Sequence, residues 1–152
     1  VLREEEVIYN TVITPRGTEY MLTLSDGSRV WLNSDSRLKF PVKFSKGTRR
    51  VELVGEGYFE VAKDSSSPFI VNSGKLEIKV TGTSFNVTAY PDEKMVQTTL
   101  VSGSVDVSCP ECSNSESVSG RVRTVIEVFE RFFFCLGKIV IGVKSQVFVF
   151  VL

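Results

Sequence analysis

Apolar and polar residues alternate with a period of two along most of this chain, and the alternation is broken at regular intervals by glycine. The clearest stretch is Leu24-Ser-Asp-Gly-Ser-Arg-Val-Trp-Leu-Asn33, where alternating arms flank an Asp26-Gly27 pair. That arrangement is the strongest short-range signal for a β-hairpin, and it requires positive φ at Gly27. Related units are Val51-Glu-Leu-Val-Gly-Glu-Gly-Tyr-Phe-Glu-Val61, Ile78-Lys-Val-Thr-Gly-Thr-Ser-Phe-Asn-Val87 and Thr99-Leu-Val-Ser-Gly-Ser-Val-Asp-Val107. Each predicts a strand, a bend at Gly55, Gly82 or Gly103, and a returning strand. The implied fold is all-β, either an antiparallel hairpin-rich sandwich or a coiled β-roll with β-helix-like layers. The period places Val30, Leu32, Val51, Leu53, Phe59, Val61, Val80, Phe85 and Val87 in the core.

Between these units the pattern predicts a weak strand over Tyr9 to Thr14, ended by Pro15-Arg-Gly17. Ser34-Asp-Ser36 forms a turn cluster, and Leu38 to Phe44 an extended segment. Pro41 in that segment fits an edge strand, because proline cannot donate to a ladder. Trp31 shares a strand face with Arg29 and Asn33, opposite Val30 and Leu32, and partial burial is expected for so large an aromatic. Tyr58 and Phe59 point to opposite faces, and Phe59 is the core member.

Composition narrows the function. At 152 residues the chain suits one domain with a proper core. Eighteen basic residues balance eighteen acidic ones, which leaves no electrostatic footprint for nucleic acid. Histidine is absent, and with it Ser-His-Asp and Cys-His catalysis and His-ligated zinc. No phosphate-binding or dinucleotide motif is present, so an enzyme is disfavoured and no cofactor is called for. No apolar run is long enough for a membrane helix. The opening Val-Leu-Arg-Glu-Glu-Glu, without an initiator Met, suggests a piece of a longer protein; residues 1 to 11 are then a lead-in from a preceding membrane or N-terminal part.

From about Val12 to Val107 the chain resembles the periplasmic domain of the FecR family of anti-sigma regulators and transmembrane sensors. The motifs that carry the resemblance are Thr14-Pro-Arg-Gly17, Leu24-Ser-Asp-Gly27, Val30-Trp-Leu-Asn33, Phe40-Pro41 and Arg50-Val51. Gly55-Glu-Gly-Tyr-Phe-Glu-Val61, Pro68-Phe69, Gly82-Thr-Ser-Phe-Asn-Val87 and Leu100-Val-Ser-Gly-Ser-Val105 continue it in family order. The resemblance implies a non-enzymatic sensor domain in the periplasm, anchored to the inner membrane in the full-length protein. Its partners would be the signalling domain of a TonB-dependent outer-membrane receptor and, through a cytoplasmic part outside this chain, an ECF-type sigma factor. Residues 12 to 108 make up this domain.

The resemblance stops at Cys109. The family continues with further strands, a Pro-Gly turn and a small α/β domain, whereas residues 109 to 120 are rich in Cys, Ser, Glu and Asn. Val122 to Leu152 is then dense in Val and Phe, with near-continuous apolar runs at Phe132 to Leu136 and Val147 to Leu152. This tail is expected to add strands, as a divergent end or as the product of a shifted reading frame. Cys109-Pro-Glu-Cys112 has the spacing of a redox motif or half a zinc site. It follows an antiparallel strand instead of opening a helix, and only Cys135 and carboxylates remain as further ligands. A loop pair, oxidised in a periplasmic setting, is the simpler reading.

Glu52, Glu56 and Glu60 could be assembled into a carboxylate pair, but a solvated strand face explains them. Asp26 and Gly27 are accounted for by turn geometry. The alternative to a regulator is a small-ligand or glycan-binding β domain using surface aromatics such as Tyr20, Trp31, Tyr58 and Tyr90. A β-structured hydrolase stands further off for want of histidine.

Overall fold

The computed structural model describes residues 6–74, 76–93 and 95–108, with the backbone of residues 118–120, 124–129 and 147–151. Every regular element among them is a strand: β1 (Tyr9–Thr14), β2 (Tyr20–Thr23), β3 (Arg29–Leu32), β4 (Ser36–Pro41), β5 (Arg49–Glu60), β6 (Phe69–Asn72) and β7 (Glu77–Val80). Then follow β8 (Ser84–Ala89), β9 (Met95–Ser102), β10 (Val105–Ser108), β11 (Val118–Gly120), β12 (Thr124–Phe129) and β13 (Val147–Val151).

The strands form two layers joined through β5. The first half of β5 pairs with β4 and β6, giving the order β1-β4-β5-β6-β7-β10-β11. Its second half pairs with β3 and β8, giving β2-β3-β5-β8-β9-β12-β13. After β5 the chain lays two strands in one layer, then two in the other, and repeats. The fold is therefore a sandwich whose chain path coils between its layers. Most neighbours are antiparallel, as the alternation predicts; β5 with β6 is a parallel pair, and β12 with β13 is another beyond residue 107.

Only one of the four glycine-centred units is a hairpin. β2 and β3 pair directly, with Tyr20 opposite Leu32 and Thr23 opposite Arg29. Even there the loop holds three residues: the Gly27 N–H donates to the Leu24 carbonyl at 3.0 Å and the Leu24 N–H to the Ser28 carbonyl at 2.8 Å. Asp26 keeps negative φ and Gly27 takes φ +85°, the signature of a turn closed by a glycine bulge, not of a two-residue Asp-Gly turn. In the second unit β5 runs unbroken through Gly55, where φ is +95° and the strand passes from one layer to the other. In the third and fourth units, β7 and β8 lie in different layers, as do β9 and β10. Gly82 and Gly103 therefore stand at corners between sheets. A period-2 pattern reports which face is buried but not which strand lies alongside, because pairing is fixed by contacts distant in sequence.

The burial pattern itself follows the sequence. Along β5 the odd positions Arg49, Val51, Leu53, Gly55, Gly57 and Phe59 face inward throughout. Phe59 stacks on Phe85 at 5.2 Å between ring centres and meets Phe69, from the other layer, at 6.3 Å. Each of the nine expected core residues is buried. The core thus belongs to both layers at once, and truncating Phe59 to Ala should cost about 3 to 5 kcal/mol. β4, by contrast, is not an edge strand, since β1 covers its outer side. Pro41 is tolerated because it lies beyond the three residues of β4 that pair with β5.

Candidate protein-contact face

Two polar constellations lie outside the apolar core, one buried and one on the surface. The buried one centres on Arg49, whose side chain is 4% exposed. An inward-facing position of β5 leaves a guanidinium little access to water, and the fold supplies partners on every side. Its Nη1 donates to Asp26 Oδ2 at 2.7 Å and to the Ala62 carbonyl at 2.9 Å, and its Nε donates to the Ser67 carbonyl at 2.7 Å. The guanidinium carbon sits 5.5 Å from the centre of the Phe69 ring. Asp26 in turn accepts the Ser28 amide at 3.0 Å and hydroxyl at 2.7 Å, and the Ser28 hydroxyl accepts the Ala62 amide at 2.9 Å. Turn geometry alone therefore does not account for Asp26, since the same carboxylate ties the β2–β3 hairpin to the first half of β5 in the opposite layer. A buried pair of this kind adds little net stability, but breaking it strands a charge.

The surface constellation lies on the outer face of the second layer. Register aligns Met21, Trp31, Tyr58 and Asn86 in one row across β2, β3, β5 and β8. The Trp31 and Tyr58 rings are 5.6 Å apart and tilted by 52°, within the range of favourable aromatic pairs. Arg29 lies 5.5 Å over the Trp31 ring and forms an ion pair with Glu60. Beside them the Glu56 carboxylate is held by two amides, Asn33 Nδ2 and Asn86 Nδ2, each at 2.9 Å. Asn33 also caps the following turn by accepting the Ser34 amide at 2.7 Å. Met21 is 51% exposed and Tyr20 53%, both on β2, whose outer edge has no strand partner among the described residues.

This arrangement offers apolar contact area and fixed hydrogen-bonding groups. Glu56 accepts its two amides and Glu60 faces Arg29, so each carboxylate has its own partner. Among the described residues no three His, Cys, Asp or Glu side chains converge as metal ligands. Cys109 and Cys112 lie outside the described residues. Trp31 and Tyr58 come together, both half-buried, while Tyr20 lies on the β2 edge. Tyr90 lines a separate open cleft of about 440 Å³ with Ile13, Arg16, Asp35 and Arg37, and its hydroxyl donates to the Ser34 carbonyl at 2.8 Å. Leu32, Phe59, Val61, Phe85 and Val87 are core, and Gly17, Gly27, Gly55, Gly82 and Gly103 have positive φ. Sequence reasoning missed Arg49, although its inward parity in β5 was a readable sign. It also missed the roles of Met21, Glu56 and Asn86.

The family model described as FecR protein matches residues 10–106. The chain belongs to the FecR family. Two crystal structures of a candidate anti-sigma factor from Parabacteroides distasonis ATCC 8503, at 2.50 and 1.65 Å resolution, have closely similar folds. Identity to this FecR chain is 31% in both, with TM-scores of 0.73 and 0.72, over 81% and 80% of its length. The alignments span 56% and 55% of those longer chains, so the FecR chain corresponds to little more than half of each. No curated protein matches it. Among the described residues no helix is long and apolar enough to cross a membrane.

Proposed function

We propose that this FecR chain is the periplasmic sensor domain of an inner-membrane-anchored anti-sigma regulator. It works by protein contact and carries out no catalysis. Its extracytoplasmic partner is the signalling domain of a TonB-dependent outer-membrane receptor, and its output reaches an ECF-type sigma factor through a cytoplasmic part of the full-length protein. Family membership supports the regulatory role. The single observation that supports a contact on this face is the Met21–Trp31–Tyr58 row with Arg29 beside it, next to the open β2 edge. Trp, Tyr, Arg and Met are the residue types enriched in the energetic centres of interfaces, and an open strand edge adds backbone donors and acceptors to the same surface.

Binding measured by calorimetry against the signalling domain of the receptor encoded beside this protein tests the reading. Micromolar or weaker affinity is expected, as for transient signalling contacts. Trp31→Ala should weaken it by about 2 kcal/mol or more, the loss typical of an interface anchor. The same aromatic row flanked by Asn86 and Glu56 also has the makings of a sugar platform. A chain that ignores the receptor domain and binds glycans through Trp31 would replace the regulator reading with that one.

A further inference from the structure

The first layer ends in an open strand edge at β1. β1 pairs only with β4, and its opposite side has no strand partner among the described residues. The Val42 N–H donates to the Ile8 carbonyl at 2.8 Å, and Pro41, which has no N–H, sits opposite Tyr9. Backbone groups of even-numbered residues therefore point to β4, and those of Tyr9, Thr11 and Ile13 point outward, unpaired. Edge strands usually protect such groups with a charge, a proline or a bulge. The β1 sequence Tyr-Asn-Thr-Val-Ile-Thr has no charge and no proline, and its ladder with β4 is unbroken. Of the exposed large apolar side chains, Val7, Ile8, Tyr9 and Ile13 lie along this edge, with Ile8 69% and Ile13 68% exposed, and Val42 lies one strand in, opposite Ile8.

We propose that β1 is a self-association site, at which two copies of this chain pair antiparallel about a twofold axis through Thr11. The outward backbone groups select the register. Thr11 faces Thr11, and Tyr9 of each copy faces Ile13 of the other, so that all three outward residues are used on both sides. An aromatic then lies across from a β-branched side chain, a favourable cross-strand pair. Three residues further out, where Arg16 lies in the turn that ends β1, the same register brings Glu6 of one copy near Arg16 of the other. Arg16 is free to take part, since its only ion pair among the described residues is an exposed one with Asp35. The strip is thus complementary to itself in shape and charge, as a twofold interface must be. Paired this way, the first layers of two copies merge into one continuous sheet, and the aromatic face of the second layer stays open in each. The interface is small, so association should depend on concentration.

Sedimentation velocity from low-micromolar to millimolar concentration is the test. The expected result is a reversible monomer–dimer equilibrium. Thr11→Pro removes an outward N–H without touching the β4 ladder, and should lower the association constant at least tenfold with an unchanged dichroism spectrum. Should that variant unfold, the charge swap decides: Glu6→Arg is expected to weaken the dimer severalfold, and Glu6→Arg with Arg16→Glu to restore it. A monomer at every concentration overturns the proposal, as does a dimer indifferent to both changes. Amides of β1 that gain exchange protection only when the receptor domain is added would give the edge to that partner instead.

Discussion

Gly27 and Gly55 sit in the same local grammar, each preceded and followed by alternating apolar residues, yet they build different things. At Gly27 the chain reverses, because Ser25, Asp26 and Ser28 form a polar loop whose carboxylate organises the turn. At Gly55 the chain continues. The inward parity of β5 carries straight through the glycine to Phe59, and the positive φ swings the strand into the other layer. Space distinguishes them as well. A Cβ at Gly27 would have nothing within 4 Å, whereas one at Gly55 would come 2.8 Å from Ser36 Cα. The Ser36 hydroxyl fills that gap, accepting the Glu56 amide at 2.8 Å. A glycine in a β pattern thus marks a change of direction, and its neighbours decide whether the chain turns back or turns a corner.

Substitutions at the two sites should separate these roles. Gly55→Val adds strain in the left-handed region to a clash with backbone, and about 4 kcal/mol of stability should be lost in denaturant titration. A loss no larger than at Gly27 would mean that the corner can relax. Asp26→Ala should cost about 3 kcal/mol, because it leaves the Arg49 guanidinium buried without its carboxylate; the double variant Asp26→Ala with Arg49→Met should recover part of the loss. Gly27→Val meets strain alone and should cost about 1 to 2 kcal/mol. An unchanged melting temperature there would show that the loop opens at no cost.

The smallest effect concerns acid. The Ser66 hydroxyl and then its amide, both bonding the carboxylate, hold Asp64 below the usual carboxylate range. A depressed folded pKa contributes stability that is present above the unfolded value and lost as pH falls through the folded one. Melting temperatures of Asp64→Asn and the parent chain should therefore converge as pH drops below about 4. Curves that stay parallel would show that the Ser66 bonds do not bias ionisation.

The period-2 pattern made the core legible residue by residue, from Val30 to Val87, because burial depends on strand parity alone. Layering was not legible: that Gly82 and Gly103 stand at corners depends on which strands accept β7 to β10 as neighbours. The proposed contact face was legible only in part. Trp31 and Tyr58 stood out as residue types, but register alone brings them together, and the clasp of Asn33 and Asn86 on Glu56 spans 23 and 30 residues of sequence. The shifted character of the chain after Cys109 was visible in composition, and Cys109 and Cys112 remain outside what the structure describes.

The proposed contact of this FecR domain with its partner runs through the aromatic face of the second layer. Amide hydrogen exchange of the chain, alone and with the receptor signalling domain, is the decisive measurement. Slowed exchange is expected across residues 20–23, 29–32 and 56–60, with none of that slowing in Trp31→Ala. Protection confined to other surfaces, or unchanged by Trp31→Ala, would contradict it.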